Sequence, residues 1–350
     1  MLAIVLRAPM HWRIEEVATP TVADPSSVLI RVIAAGLCGS DKRRFFHIPP
    51  PEGYFRTSIL GHEVVGTVEQ VGSAVKSVGV GDRVVVEPLI PCDACAVCRL
   101  GEYQLCTELR AVGRDVPGGF AERMLLPERC VRAVPDNVTS EEAVLADPIA
   151  VCCHALKLSK IMECSGRRAI VIGDGPLGLL CLQVLMANEI EAVLVGKYPD
   201  RMEVVRSMSG ADARIASEIP TSWMNEFDAV FETVGGNQAE TMKLGVDLAS
   251  RGGEVIVLGA FDAGYHLPFE ARKAFAKELG VLGSYSYSTT EGLRDIDIAL
   301  DLLRRRRVTG KHFTDVVESL RDFDKALSAI GHLGGRGGPI KLIMSNAFHM

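Results

Sequence analysis

Short apolar runs that stop at glycine recur through the second half of the chain, separated by stretches of helical character. Ala169-Ile170-Val171-Ile172 follows two arginines and ends at Gly173; Ala192-Val193-Leu194-Val195 ends at Gly196; Asp228 to Val234 ends at Gly235-Gly236; Gly253 to Gly259 and Gly280 to Ser284 continue the series. Such runs are what parallel strands buried on both faces require. Between and after them, Leu179 to Ala187, Asp200 to Met208 and Thr290 to Arg307 read as helices, the last with Leu293, Ile296, Leu300 and Leu303 on one face and the solvated run Arg304 to Arg307 at its end. Strand alternating with helix predicts a doubly wound parallel sheet, an α/β fold. The first part reads differently. Val28 to Ala35 is rich in β-formers, and Gly61 to Val68 and Val80 to Val86 each enter a strand.

The turn after the first apolar run is Gly173-Asp174-Gly175-Pro176-Leu177-Gly178. Between a buried strand and a helix, glycines so spaced let the chain turn tightly at Gly173, let backbone approach a pyrophosphate at Gly175, and let helix pack on strand at Gly178. The helix N-terminus then faces the phosphates.

At 350 residues the chain suggests two domains. A hydrophobic fraction of 48% with 23% charged residues is that of a soluble globular protein, and a net charge of -6 gives no electrostatic case for nucleic acid or an anionic membrane surface. No apolar run approaches a membrane span, and Met1 to Met10 lacks the pattern of a secretion signal, so a cytoplasmic location is expected. There are no internal repeats.

Ten cysteines in such a chain point to thiols and metal rather than disulfides. Cys92-x2-Cys95-x2-Cys98-x7-Cys106, on a lobe bounded by Pro91 and Gly101, offers four thiolates that can close a tetrahedral site with no position left for substrate, as structural zinc requires. An iron-sulfur cluster is the rival, disfavoured because neither a second cysteine set nor a trailing Cys-Pro is present. Cys38, flanked by Gly36 and Gly39, is either a thiolate held in a pocket or an inert cysteine at a strand end. With His62 and the adjacent Glu63 it supplies a second set of donors suited to zinc.

Gly36-x-Cys38-Gly39-Ser40-Asp41, Gly61-His62-Glu63-x2-Gly66, Val80-Gly81-Asp82-Arg83-Val84, the four-cysteine lobe and the glycine fingerprint occur together. In that order they resemble the zinc-dependent medium-chain alcohol dehydrogenases across essentially the whole chain. Ala146-Asp147-Pro148 is similar to the acidic-proline segment of the branch that contains sorbitol, threonine and glucose dehydrogenases. The resemblance implies a GroES-like, mostly β catalytic domain over 1–146 and 289–350, and a Rossmann domain over 147–288. It implies that Cys38 and His62 bind a catalytic zinc, that Glu63 and Asp147 complete or exchange in its shell, and that Ser40 meets the substrate oxygen beside Asp41. The branch usually has Glu at the position of Asp147. Where the family commonly has a relay histidine this chain has Arg43, so proton exit is expected through Ser40, the cofactor ribose and water.

Backbone at Thr233-Val234, Leu258-Gly259-Ala260 and Ser284-Tyr285 is implied to line the nicotinamide half of the cofactor. The acidic residue of NAD enzymes is expected about 20 residues past the fingerprint. Gly196 and Lys197 stand there, with Arg201 close by, so NAD(P)H with a lean to NADP(H) is expected; Asp200 reads as a helix N-cap or first-turn residue. The implied reaction is reversible oxidation of a secondary alcohol to a ketone, with two zincs per chain and a small-molecule substrate of the polyol, sugar or hydroxy-amino acid class. Substrate contacts are expected from Phe45 to Thr57 and around Tyr285, Arg43 and Arg44 are expected to face water, and a homodimer or homotetramer is implied. A zinc-free quinone or enone reductase lacks the Cys38, His62 and four-cysteine set; a non-catalytic cofactor sensor is the other alternative.

Overall fold

The computed structural model describes residues 1–46, 57–164, 168–236, 238–261, 265–290, 292–318, 320–332 and 339–345. Its contacts divide the chain into two compact units, Met1–Asp147 with Thr289–Gly292 and Thr314–Met350, and Pro148–Ser288 with Leu293–Phe313. Among the described residues no helix is long and apolar enough to cross a membrane.

The first unit is built on a mostly antiparallel seven-stranded sheet. Its path runs Thr314–Val317, Lys341–Ser345, Ser27–Gly36, Glu63–Val71, Arg83–Val86, Val131–Ala133, with Arg123–Pro127 paired to the start of Ser27–Gly36. Apolar residues of these strands, Ile30, Val64, Val68, Val84 and Leu342, make one core with Phe120. Gly66 lies where the strands press closest: a Cβ there would fall 2.6 Å from the carbonyl oxygen of Arg31. The turn at Val80 to Arg83 carries no pairing of its two charges with each other, for Asp82 accepts the N–H of Gly79 at 2.7 Å and Arg83 donates to Pro135 O at 3.1 Å.

The second unit is a six-stranded parallel sheet in the spatial order Asp212–Ile215, Glu191–Gly196, Arg168–Ile172, Phe227–Glu232, Ala249–Val257, Gly280–Gly283. In chain order that is 3-2-1-4-5-6, the dinucleotide-binding arrangement. The apolar runs are its strands, buried on both sides: Ile170, Val195, Val230 and Val255 share one core with Met242 and Leu248 of the helix Ala239–Leu248.

Residues 293–313 were expected with the first unit, and the structure places them in the second. The helix Asp295–Arg304 buries Ile296, Leu300 and Leu303. Asp295, fully buried at its start, faces Lys157 Nζ at 2.5 Å and His154 Nδ1 at 3.3 Å and accepts the N–H of Ser288 at 2.9 Å. Gln183 exchanges two hydrogen bonds with the backbone of Thr309, at 2.9 and 3.1 Å. These partners all belong to the second unit. Leu293 departs from its expected face: it lies in the short strand Leu293–Arg294 and is 60% exposed.

Glu232 ends the central strand Phe227–Glu232 with no exposed surface. Its carboxylate accepts from Val234 N at 3.1 Å, Thr241 Oγ1 at 2.8 Å and Gln238 Nε2 at 2.5 Å, while its carbonyl accepts from Leu258 N at 2.8 Å. Burial outweighs these donors and pushes the carboxyl from 4.5 up to about 7. A folded value above the unfolded one means that stability is fully present at low pH and is lost as pH rises through about 7, by an amount on the order of 3 kcal/mol. Glu232→Gln should therefore narrow the difference in melting temperature between about pH 5 and about pH 8 relative to the parent. Calorimetry at the two pH values checks it; an unchanged difference removes the assignment.

Candidate metal centres and dinucleotide site

Strand register brings the first donor set together. Ser27–Gly36 and Glu63–Val71 run antiparallel with Gly36 opposite Glu63, so Cys38, just past one strand, and His62, just before the other, meet at the same end of the sheet. Gly61 makes the turn into His62 at φ +92 against the Phe120 ring, where a Cβ would fall at 2.8 Å. Ligand atoms of Cys38, His62 and Glu63 lie within 4.8 Å of one another.

The chain turns at Cys38 into the helix Gly39–Phe46, which the glycine-rich sequence does not announce. Asp41 Oδ2 accepts the N–H of Cys38 at 3.1 Å and its Oδ1 stands 3.7 Å from His62 Nδ1. Burial works against charge on His62, but Asp41, Cys38 and Asp147 together hold its pKa well above the usual imidazole range. A field that holds a proton so firmly also favours a divalent cation. Asp147, in the first turn of the helix Ala146–Leu158 and buried, stands outside the group of three that could share one ion and adds its charge from there. Ser40 is exposed at the start of its helix.

Glu63 has a partner that sequence reasoning missed. Its carboxylate is paired with Lys341 Nζ, which also donates to Leu37 O at 3.3 Å, and both side chains are 2% exposed. The signal for Lys341 was present: a lysine opening the apolar run Leu342-Ile343-Met344 sits where a buried strand begins. Arg44, expected to face water, is half-buried and donates to Thr57 O at 3.3 Å; burial lowers its pKa to about 10. Phe45 belongs to the core, its ring 5.3 Å from that of Trp12, and residues 47–56 of the expected substrate loop lie outside the described residues.

The four cysteines of the lobe also converge, all four sulfurs within 4.8 Å. Cys95 Sγ lies 3.4 Å and Cys92 Sγ 3.9 Å from Cys98 Sγ, against about 3.8 Å between sulfurs on a tetrahedral ion with bonds of about 2.3 Å. The N–H of Cys92 donates to Cys106 Sγ and that of Cys95 to Cys92 Sγ, both at 3.4 Å. Backbone N–H groups of Ala94 and Cys95 pull the Cys92 thiol down to about 7, while burial pushes Cys98 up to about 12. Leu100 and Leu105 are 74% and 53% exposed, and the helix Ala96–Arg99 buries nothing, so the donor chemistry fits an ion that ties a lobe with little core.

In the second unit the fingerprint forms a cradle. Gly173 turns at φ +125, and a Cβ on Gly178 would fall 1.9 Å from Gly173 O, so neither place admits a side chain. Gly175 caps the helix Pro176–Ala187 and has nothing within 4 Å of its missing Cβ, leaving room where Pro176 and Leu177 begin the helix. Thr233, Val234, Leu258 and Gly259 follow the ends of two neighbouring strands, packed so closely that a Cβ on Gly259 would fall 1.9 Å from Val234 O. The buried hydroxyl of Ser284 has no hydrogen-bond partner among the described residues. A cradle open at a helix N-terminus, with an acceptor-donor left over beside it, fits a dinucleotide. At the end of Glu191–Gly196, Lys197 is exposed and Arg201 is held by Asp174, a partner the sequence reading assigned no role.

Comparison with known proteins agrees with this geometry. Residues 24–136 match the model of the alcohol dehydrogenase GroES-like domain, and residues 176–305 that of the zinc-binding dehydrogenase family. A probable D-xylulose reductase A from Aspergillus clavatus is 30% identical over 355 residues, 96% of this chain and 94% of that protein. The crystal structure of galactitol-1-phosphate dehydrogenase from Escherichia coli superposes with a TM-score of 0.85 at 26% identity, covering 99% of this chain and 100% of that one. A zinc-binding dehydrogenase from Sinorhizobium meliloti, solved bound to NADP, gives 0.82 at 25% identity, covering 98% of each chain. The chain belongs to the zinc-dependent medium-chain alcohol and polyol dehydrogenase family.

Proposed function

We propose that the protein oxidises a secondary alcohol of a polyol, sugar or polyol phosphate to a ketone, reversibly, with NAD(P) as the hydride acceptor. The observation that carries the reading is the convergence of Cys38, His62 and Glu63 at one sheet end. One thiolate, one imidazole and one carboxylate leave a tetrahedral ion an open position, as catalytic zinc needs and the four-cysteine lobe does not provide. Zinc there supplies Lewis acidity toward a substrate hydroxyl, and the nicotinamide supplies the hydride acceptor.

The chain's own residues position and neutralise. Cys38 and His62 hold the ion, Asp41 fixes the Cys38 backbone and faces the imidazole, and Lys341 offsets the charge of Glu63. Ser40 Oγ, exposed two residues past Cys38, would accept the substrate hydroxyl proton while passing its own on toward the cofactor ribose and water. The substrate class is supported by relatives named for xylulose and galactitol 1-phosphate, and the lean to NADP(H) by Lys197, exposed just past a strand that ends in Gly196 rather than in an acid. All ten cysteines are free thiols, which supports a reducing compartment such as the cytoplasm.

Turnover on a panel of polyols, sugars and their phosphates, read by nicotinamide absorbance, tests the reading. Cys38→Ser and His62→Ala should each lower kcat/KM by at least about a hundredfold while cofactor binding persists; retention of most activity in either sinks it. Cys98→Ala should release one of two zincs per chain and lower the melting temperature, with activity falling only as folded protein is lost. A variant that keeps two zincs and its stability, yet no longer turns over, reassigns the lobe to catalysis.

A homodimer or homotetramer is supported by an edge strand of the parallel sheet that carries exposed apolar residues. Gly280–Gly283 is an edge strand with Val281 40% exposed, and Phe275 on the preceding helix Ala271–Lys277 is 84% exposed. Phe275→Asp with Val281→Asp should shift the protein to monomer in light scattering; an unshifted oligomer places the interface elsewhere.

A further inference from the structure

The strand Glu191–Gly196 ends in a glycine where an acid would meet the ribose of NAD, and the space at that glycine is already taken. A Cβ on Gly196 would fall 2.3 Å from Met202 Cε, the movable end of a flexible side chain, and 2.6 Å from Asp174 Cβ and 2.7 Å from Asp174 Oδ2, which the hydrogen bonds of the carboxylate hold in place. Asp174 comes from the fingerprint, one strand over. Its Oδ2 accepts the N–H of Lys197 at 2.7 Å and of Tyr198 at 2.9 Å, and its Oδ1 lies 3.3 Å from Arg201 Nη1, which lies equally close to Asp174 O.

We propose that Asp174 is the positioning residue that sets cofactor selectivity: its carboxylate fills the strand-end place, occupies the backbone donors there and neutralises Arg201, holding down the affinity of this corner for a 2'-phosphate. The inference rests on the reading that the second unit binds NAD(P) at the fingerprint. Successive N–H groups after a strand form a nest for an anion. Here that nest is filled from within by a carboxylate only 7% exposed. Arg201, its guanidinium 4.8 Å from the centre of the Tyr198 ring, is turned to Asp174. Lys197 is exposed, its Nζ 5.9 Å from the same ring. Among the described residues the corner thus offers a phosphate one cation without an ion-pair partner, Lys197, where the sequence displays two, and offers ribose hydroxyls a carboxylate whose oxygens are engaged. Modest discrimination follows.

Binding of 2',5'-ADP and 5'-AMP to the full-length protein, by calorimetry, isolates this corner without the nicotinamide, the catalytic metal or turnover. Asp174→Asn keeps an acceptor for the two N–H groups, removes the charge and turns an amide NH2 toward Arg201, which frees that guanidinium. It should raise the preference for 2',5'-ADP over 5'-AMP by at least about tenfold and steepen its salt dependence. Arg201→Met, which leaves the carboxylate uncompensated, should lower the same preference about tenfold in a variant whose fold does not depend on changing Asp174. A ratio that moves less than about twofold in both variants, or affinities for both probes that fall together, overturns the proposal. Failure of the parent to bind either probe or NAD(P) removes the dinucleotide reading and this inference with it.

Discussion

Two opposite charges buried against one strand end are what the first unit depends on. Glu63 and Lys341 are each 2% exposed, and removing either partner would strand the other in a site without water, at about 3–5 kcal/mol. The pair therefore fixes which residues may lie beside it. Glu63 comes from the start of one neighbour of the strand Ser27–Gly36 and Lys341 from the start of the other, and a Cβ on Gly36 would fall 2.2 Å from Glu63 Oε2. Only glycine leaves the pair its space. Because Lys341 also holds Leu37 O, the backbone arrives at Cys38 already aimed, and His62 is set by being next to Glu63. Charge follows the same logic: Lys341 offsets Glu63, while Asp41, Cys38 and Asp147 raise the pKa of His62 against its burial.

The two candidate metal centres bring their donors together by opposite routes. In the lobe the four cysteines lie within a short segment, so spacing alone brings them together and backbone N–H groups orient the sulfurs. There is little core to do that work, and four converging thiols suit an ion that would tie so small a loop together. Cys38 and His62 are joined by pairing within a sheet whose core is extensive.

This difference in route is why some features were legible in the sequence and others were not. The cysteine lobe, the glycine fingerprint and the apolar runs of the parallel sheet are local patterns. The helix Gly39–Phe46 is not: it begins in glycine, carries Lys42, Arg43 and Arg44, and is held by Asp41 on the Cys38 N–H and by Phe45 packed against Trp12 and Phe120. The two aromatic partners are distant in sequence. Asp212–Ile215 escaped because an edge strand of four residues shows no periodicity, and its stability lies in pairing with Val193 to Gly196. Residues 293–313 could be read as a helix but not assigned to a unit, since the buried Asp295 reads on paper as a surface residue.

The cofactor corner shows how a motif read one position at a time misleads. Gly196 taken alone signals a missing acid, and Lys197 and Arg201 signal two cations for a phosphate. Yet Gly196 and Asp174 compete for space: a side chain at 196 would begin 2.6 Å from the aspartate's Cβ and 2.3 Å from Met202 Cε, so an acid at the strand end requires both neighbours to shift. The charge has moved from one strand to its neighbour and taken Arg201 with it. Counting cations along the sequence overstates the field that a ligand meets, because ion pairing removes one of them before the ligand arrives. Introducing an acid at Gly196 alone would set two carboxylates in contact on one pair of backbone donors. A route from phosphate tolerance to NAD selectivity must therefore clear Asp174 before it adds anything at the strand end.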